Sequence, residues 1–163
     1  MAVHASYLPT GELPQPADLV PELSRRARGF STWAMLKSRG RQGIAQLVGR
    51  HCALAARMAE RLRAGGGAQL RILNDVALNQ VAVRLGEHLG SSQAADALTE
   101  RVITRIQRAG VCFVGGAHWR DMQILRISVI GGTTTEADID TSADAILQAL
   151  HDELASSSNS SSK

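Results

Sequence analysis

The chain has 163 residues, 44% of them apolar, with 18 basic and 15 acidic side chains and a net charge of +3. That describes one domain, or one domain with an attached segment, holding enough apolar material for a core. Aromatics are only 3% and the arginines are scattered, which excludes the aromatic-interleaved basic stripe of a nucleic-acid binder.

The four prolines fall at 9, 14, 16 and 21, so the first 22 residues form an extended or turning loop. From about Ser31 the pattern turns helical, with a break expected at Gly40. Ile44, Leu47, Val48, His51, Leu54, Ala55, Met58 and Leu62 then recur at three- and four-residue steps, one face of a long amphipathic helix over 43–63. Gly65-Gly66-Gly67 is expected to end it. Residues 69–73 and 79–85 read as short strands about a turn at Asn74-Asp75. Ser91 or Ser92 caps a helix with the stripe Leu98, Val102, Ile103 and Ile106, stopped by Gly110. Residues 111–114 and 124–130 read as a third and a fourth strand, with His118-Trp119 and Arg120-Asp121 in the turn between them. Thr135-Glu136-Ala137-Asp138 matches a capping box before a last helix carrying Ile139, Ala143, Ile146, Leu147 and Leu150. The serine-rich stretch 156–163 is expected to be disordered.

The order is helix, then β-β-α-β-β-α: an α/β (α+β) arrangement with helices on one face of a small sheet. It divides into a loop and linker (1–30), connector helices (31–64), a small α/β domain (65–155) and the tail. No stretch reaches membrane-span length, the start lacks a basic-then-apolar leader, and Cys52 and Cys112 show neither metal nor disulfide spacing. A cytoplasmic protein without a metal site is expected.

Three places bear chemistry. Tyr7, the only tyrosine, sits in the proline-rich loop as Ser6-Tyr7-Leu8; by itself it reads as an amphipathic anchor, although a phenol on a mobile loop can also donate a proton. Arg126 interrupts the apolar run Ile124-Leu125-Arg126-Ile127-Ser128-Val129-Ile130. A guanidinium there needs a carboxylate, either from Asp121 or Glu136 or from a ligand held bidentately. His118, after Gly115-Gly116, is a titratable group for a pocket mouth or a solvated loop residue. Arg25, Arg26 and Arg28 are compatible with a phosphate cradle or with positioning the segment, and Phe30 and Trp33 read as packing residues.

In this order, Ala5-Ser6-Tyr7-Leu8, Arg25-Arg26-Ala27-Arg28-Gly29-Phe30, and the Leu125-Arg126 strand before Thr133-Thr134-Thr135 resemble the C-terminal part of the group II pyridoxal-phosphate-dependent amino-acid decarboxylases, the glutamate and aromatic-amino-acid decarboxylase family. The resemblance spans about residues 1–152. It implies the C-terminal small domain of a fold-type I enzyme with the helix at 43–63 as its connector. It also implies pyridoxal phosphate as cofactor in the complete enzyme, Tyr7 as the loop acid and Arg126 as the clamp on the substrate α-carboxylate. The family's cofactor lysine, its preceding histidine, the aspartate for the pyridine nitrogen and the ring-stacking histidine have no counterpart, for the only lysines are Lys37 and Lys163. A truncated gene product, half of a split gene or a cloned piece is therefore expected, inactive alone. It would self-associate, form the family's homodimer when complete, or pair with an N-terminal half. The rivals are a non-catalytic α/β dimerisation or ligand-binding module and the small domain of an aminotransferase, which would use Arg126 without needing Tyr7.

Overall fold

The computed structural model describes residues 27–160. The proline-bearing leader, Tyr7, Arg25 and Arg26 lie outside the described residues. Two units are distinguished, one ending at Arg41 and the other beginning at Gln42.

The helix α1 (Arg28–Gly66) starts three residues before Ser31, and Gly40 interrupts it with φ 62 and ψ 178, as the pattern predicts. Before that break Phe30 and Trp33 contact each other, ring centroids 6.2 Å apart. They are otherwise 72% and 59% exposed, so the packing role expected for them is not met within this unit.

In the second unit the predicted stripe packs in its later half, with Leu54, Ala55, Met58 and Leu62 buried and Ala59 beside them, whereas Ile44, Leu47 and His51 are half-buried and Val48 is exposed. Gly65 and Gly66 belong to the helix instead of ending it. A β-carbon on Gly65 would collide with Leu147, and one on Gly66 would lie 2.7 Å from Leu70 Cβ. Close packing selects these two glycines. Only Gly67, at φ 51, supplies the left-handed exit.

The strands β1 (Leu70–Ile72), β2 (Gln80–Leu85), β3 (Gly115–Trp119) and β4 (Met122–Ser128) make one antiparallel sheet in the order β1-β2-β4-β3. Between β2 and β3 runs α2 (Ser92–Ala109), capped by Ser91, whose Oγ accepts from the Ala94 N–H, and closed by Gly110 at φ 69. After β4, α3 (Glu136–Ser160) opens on the capping box: Asp138 Oδ2 accepts from the Thr135 N–H at 2.8 Å and Thr135 Oγ1 from the Asp138 N–H. The β-β-α-β-β-α order therefore holds.

Two placements differ from expectation. The third strand is not 111–114 but Gly115–Trp119, and Arg120 and Asp121, at φ 48 and 61, form a two-residue hairpin turn into β4. Such a turn needs left-handed backbone at both central positions, which aspartate tolerates better than most residues. His118 and Trp119 are thus strand residues, and the turn assigned to them is corrected. The serine-rich tail is likewise not disordered as far as Ser160. It continues α3, with Ser156 Oγ donating to the Asp152 carbonyl and Ser157 Oγ to the Glu153 carbonyl.

Cross-strand pairs share a face, so the register sorts the sheet. Val81 pairs with Ile127 and Val83 with Leu125, all buried, in one core with Leu98, Val102, Ile106, Ile139, Ile146 and Leu150 of the helices. The other face carries Ala82, Gly115 and Arg126, with Arg126 exposed. Helix α3 is tied to α1 by Arg57–Asp140 (2.7 Å) and Arg61–Asp144 (2.6 Å). It is tied to α2 by Arg105–Glu153 (2.7 Å) and Arg101–Glu153 (3.1 Å). Exposed pairs of this kind set helix register more than they add stability.

One ion pair is of another kind. Arg84, 2% exposed, is hydrogen-bonded to Asp96 of α2 and donates to the Gln123 carbonyl at 2.6 Å, while Asp96 Oδ1 accepts from the Gln123 N–H at 2.9 Å. Arg84 also reaches Ser92 O and Oγ, each at 3.2 Å. Beyond Val83↔Leu125 these side chains take up the backbone groups of Gln123, joining β2, β4 and α2 at one point.

Asp96→Ala leaves the Arg84 guanidinium buried without a carboxylate. It should lower unfolding free energy by about 3 kcal/mol, and Arg84→Met in that background should recover most of the loss in urea melts. The Arg84 guanidinium, then the Gln123 N–H, hold the Asp96 carboxyl below its ordinary range. Arg105, followed by Arg101, does the same for Glu153. Depressed carboxylates stabilise above their unfolded pKa and lose that contribution as pH falls through the folded one. Stability should therefore be level above about pH 4 and fall below it. Asp96→Asn should be less stable at neutral pH with a shallower acid limb.

Candidate substrate-carboxylate site

Arg126 projects from the middle of β4 on the face opposite Leu125 and Ile127, with Ala82 and Gly115 as its neighbours across the ladders. Its expected structural partners do not meet it. Glu136 pairs with Arg57 at 3.1 Å, and Asp121 sits in the hairpin turn. Among the described residues Arg126 has neither a hydrogen-bond nor an ion-pair partner. The expectation that it is a costly charge inside an apolar strand is corrected: Arg126 is exposed, although Ile124 on the same face is buried. The buried strand guanidinium is instead Arg84, in the run Gln80-Val81-Ala82-Val83-Arg84-Leu85. The same signal, one arginine between buried apolar residues, was available there.

His118 pairs with Gln123 and Arg126 with Gly115, which places His118 and Arg126 on opposite faces of the sheet. The two are not brought together. His118 instead lies where its charge helps to lower the Asp96 carboxyl, after Arg84 and Gln123. Trp119, its neighbour, carries the Arg120 guanidinium 4.5 Å above its ring. The loop after β4 is held from α1, where Arg50 donates to the Gly132 carbonyl and His51 Nε2 lies 3.0 Å from Gly131 O. His51 on the helical stripe therefore anchors the segment that leads from Arg126 to the threonines.

An unpaired, forked guanidinium on an open face fits a carboxylate. The described residues do not fit pyridoxal phosphate as its holder. An imine with the cofactor needs a lysine amine, and residues 42–160 contain none; Lys37 is exposed in the first unit. Arg28, the one member of the proposed phosphate cradle within the described residues, is also exposed in that unit. No cluster of three or more metal-ligating side chains occurs among the described residues, and no described helix is long and apolar enough to cross a membrane. Cys52 and Cys112 are both free, the second with its thiol pushed up by burial.

No known protein-family profile matches the sequence. Solved structures do match. The Oryza sativa protein TDC, crystallised with PLP and tryptamine, superposes with a TM-score of 0.68 at 17% identity over 86% of this chain and 30% of its own. Catharanthus roseus tryptophan decarboxylase, in complex with L-tryptophan, gives 0.68 at 20% over 78% and 27%. Mouse CSAD gives 0.65 at 19% over 82% and 30%. The chain thus has the fold of the C-terminal part of pyridoxal-phosphate decarboxylase chains and spans less than a third of their length. The small-domain architecture expected from the resemblance is the one observed.

Because Arg126 is exposed and unpaired, Arg126→Gln should leave stability within about 0.5 kcal/mol of the parent chain in urea melts. Arg84→Gln should cost several times more.

Proposed function

We propose that this chain is the C-terminal region of a pyridoxal-phosphate-dependent amino-acid decarboxylase acting in the cytoplasm. The observation that carries the reading is the exposed Arg126, its side chain without a partner among the described residues, on a sheet whose fold is that of decarboxylase small domains. Arg126 binds the α-carboxylate of an L-amino acid. Tyr7, outside the described residues, donates the proton that takes the place of the departing carbon dioxide on the α-carbon. The lysine that binds the cofactor comes from a segment other than this chain, joined to it or supplied as a partner, and the complete enzyme is a homodimer. The non-catalytic module and the aminotransferase remain rivals that experiment separates.

The isolated chain mixed with pyridoxal phosphate should bind it only weakly and release no carbon dioxide; a stable, borohydride-trappable internal imine with catalytic turnover would overturn the reading. Joined or co-expressed with an upstream segment bearing a His-Lys pair, it should release carbon dioxide from an amino acid. There Tyr7→Phe should lower kcat by about 10²-fold or more, the scale of a lost general acid. A complete enzyme that converts the amino acid to its keto acid, with Tyr7→Phe at full rate, would establish the aminotransferase instead.

A further inference from the structure

Gly115 stands beside Arg126 in the sheet, and nothing in the fold requires a glycine there. Its φ lies outside the left-handed region, and a β-carbon built on it meets no atom within 4 Å. On its neighbour Gly116 the same β-carbon would meet only the flexible end of Gln123, with Nε2 at 2.8 Å. A glycine inside a strand weakens the strand, for it gives up backbone entropy and packs nothing. Where neither backbone nor packing asks for one, close approach of another group to the strand surface is the remaining physical use. On the other side of Arg126, Ala82 carries the smallest side chain that has a β-carbon.

We infer that Gly115 sets access to Arg126, its bare backbone being the floor over which the body of a bound carboxylate lies. This rests on the reading of Arg126 as a carboxylate clamp and extends it to specificity. The ligand is a carboxylate whose attached carbon skeleton runs toward β3 across the place where a side chain at 115 would stand. Residue size at 115 then discriminates among acids without touching the guanidinium itself.

The test uses the full chain and benzoate, a flat carboxylate, followed through the Arg126 Nε–Hε resonance, which is assigned by its loss in Arg126→Gln. Benzoate should shift this resonance in the parent chain. In Gly115→Leu the apparent affinity should be roughly tenfold weaker, equivalent to about 1.4 kcal/mol. Gly115→Ala, whose methyl enters open space, should fall between the two. Should Gly115→Leu fail to fold by its amide spectrum, Gly115→Thr, a better strand former, makes the same comparison. Equal affinity in the parent and in the folded bulky variant would overturn the role of Gly115 and leave the clamp standing. No shift in the parent chain would remove the clamp, and the access role with it.

Discussion

A guanidinium cannot be taken out of water unless its charge and its donors are met. Arg84 is nearly inaccessible, and the groups that meet it come from two elements at once: Asp96 and Ser92 from α2, and the Gln123 carbonyl from β4. Asp96 closes the circuit by accepting the Gln123 N–H. The consequence is geometric as much as energetic. Helix α2 can sit on the sheet only where Asp96 reaches both Arg84 and Gln123, and β4 can pair with β2 only where Gln123 faces them. A slip of one residue in β4 would exchange its faces, sending Leu125 and Ile127 outward and Arg126 into the core.

The two strand arginines show how one residue type in one sequence context reaches opposite ends. Arg84 has its carboxylate within the chain and becomes a rivet. Arg126, three residues beyond Gln123 and on the face away from Leu125, has none among the described residues. Among the described residues its guanidinium is exposed and without a partner. Its strand is steadied from both ends, by the Arg84–Asp96 junction on one side and by Arg50 and His51 on the loop at Gly131-Gly132 on the other. A side chain on a strand with fixed register is better positioned than one on a loop.

The chain has the fold of only part of the decarboxylase chains it matches. Helices cover the face of Val81, Val83, Leu125 and Ile127, while Ala82, Gly115 and Arg126 face away. The matched decarboxylase chains are more than three times as long as the portion shared with this one. A carboxylate-binding arginine is one component of such a site. The amine that binds the cofactor is another, and residues 42–160 have no lysine to provide it.

Much of the fold was legible in the residues. Periodicity located the long helix and the stripe of α2. Ser91, Gly110 and the Thr135–Asp138 box marked helix ends, since those end groups are satisfied locally. In residues 124–130 Leu125, Ile127 and Val129 are buried and Arg126 is exposed, as strand alternation requires, but Ile124, on the face of Arg126, is buried as well. What stayed hidden depended on partners distant in sequence. Residues 111–114 are as apolar as a strand, yet pairing begins at Gly115 because the register with β4 runs back from the Arg120-Asp121 turn. Only the assembled sheet decided that Arg84 is buried and Arg126 exposed. Likewise it alone separated His118 from Arg126. Local conformation is written in neighbours along the chain; the environment of a charge is set by what folding brings beside it.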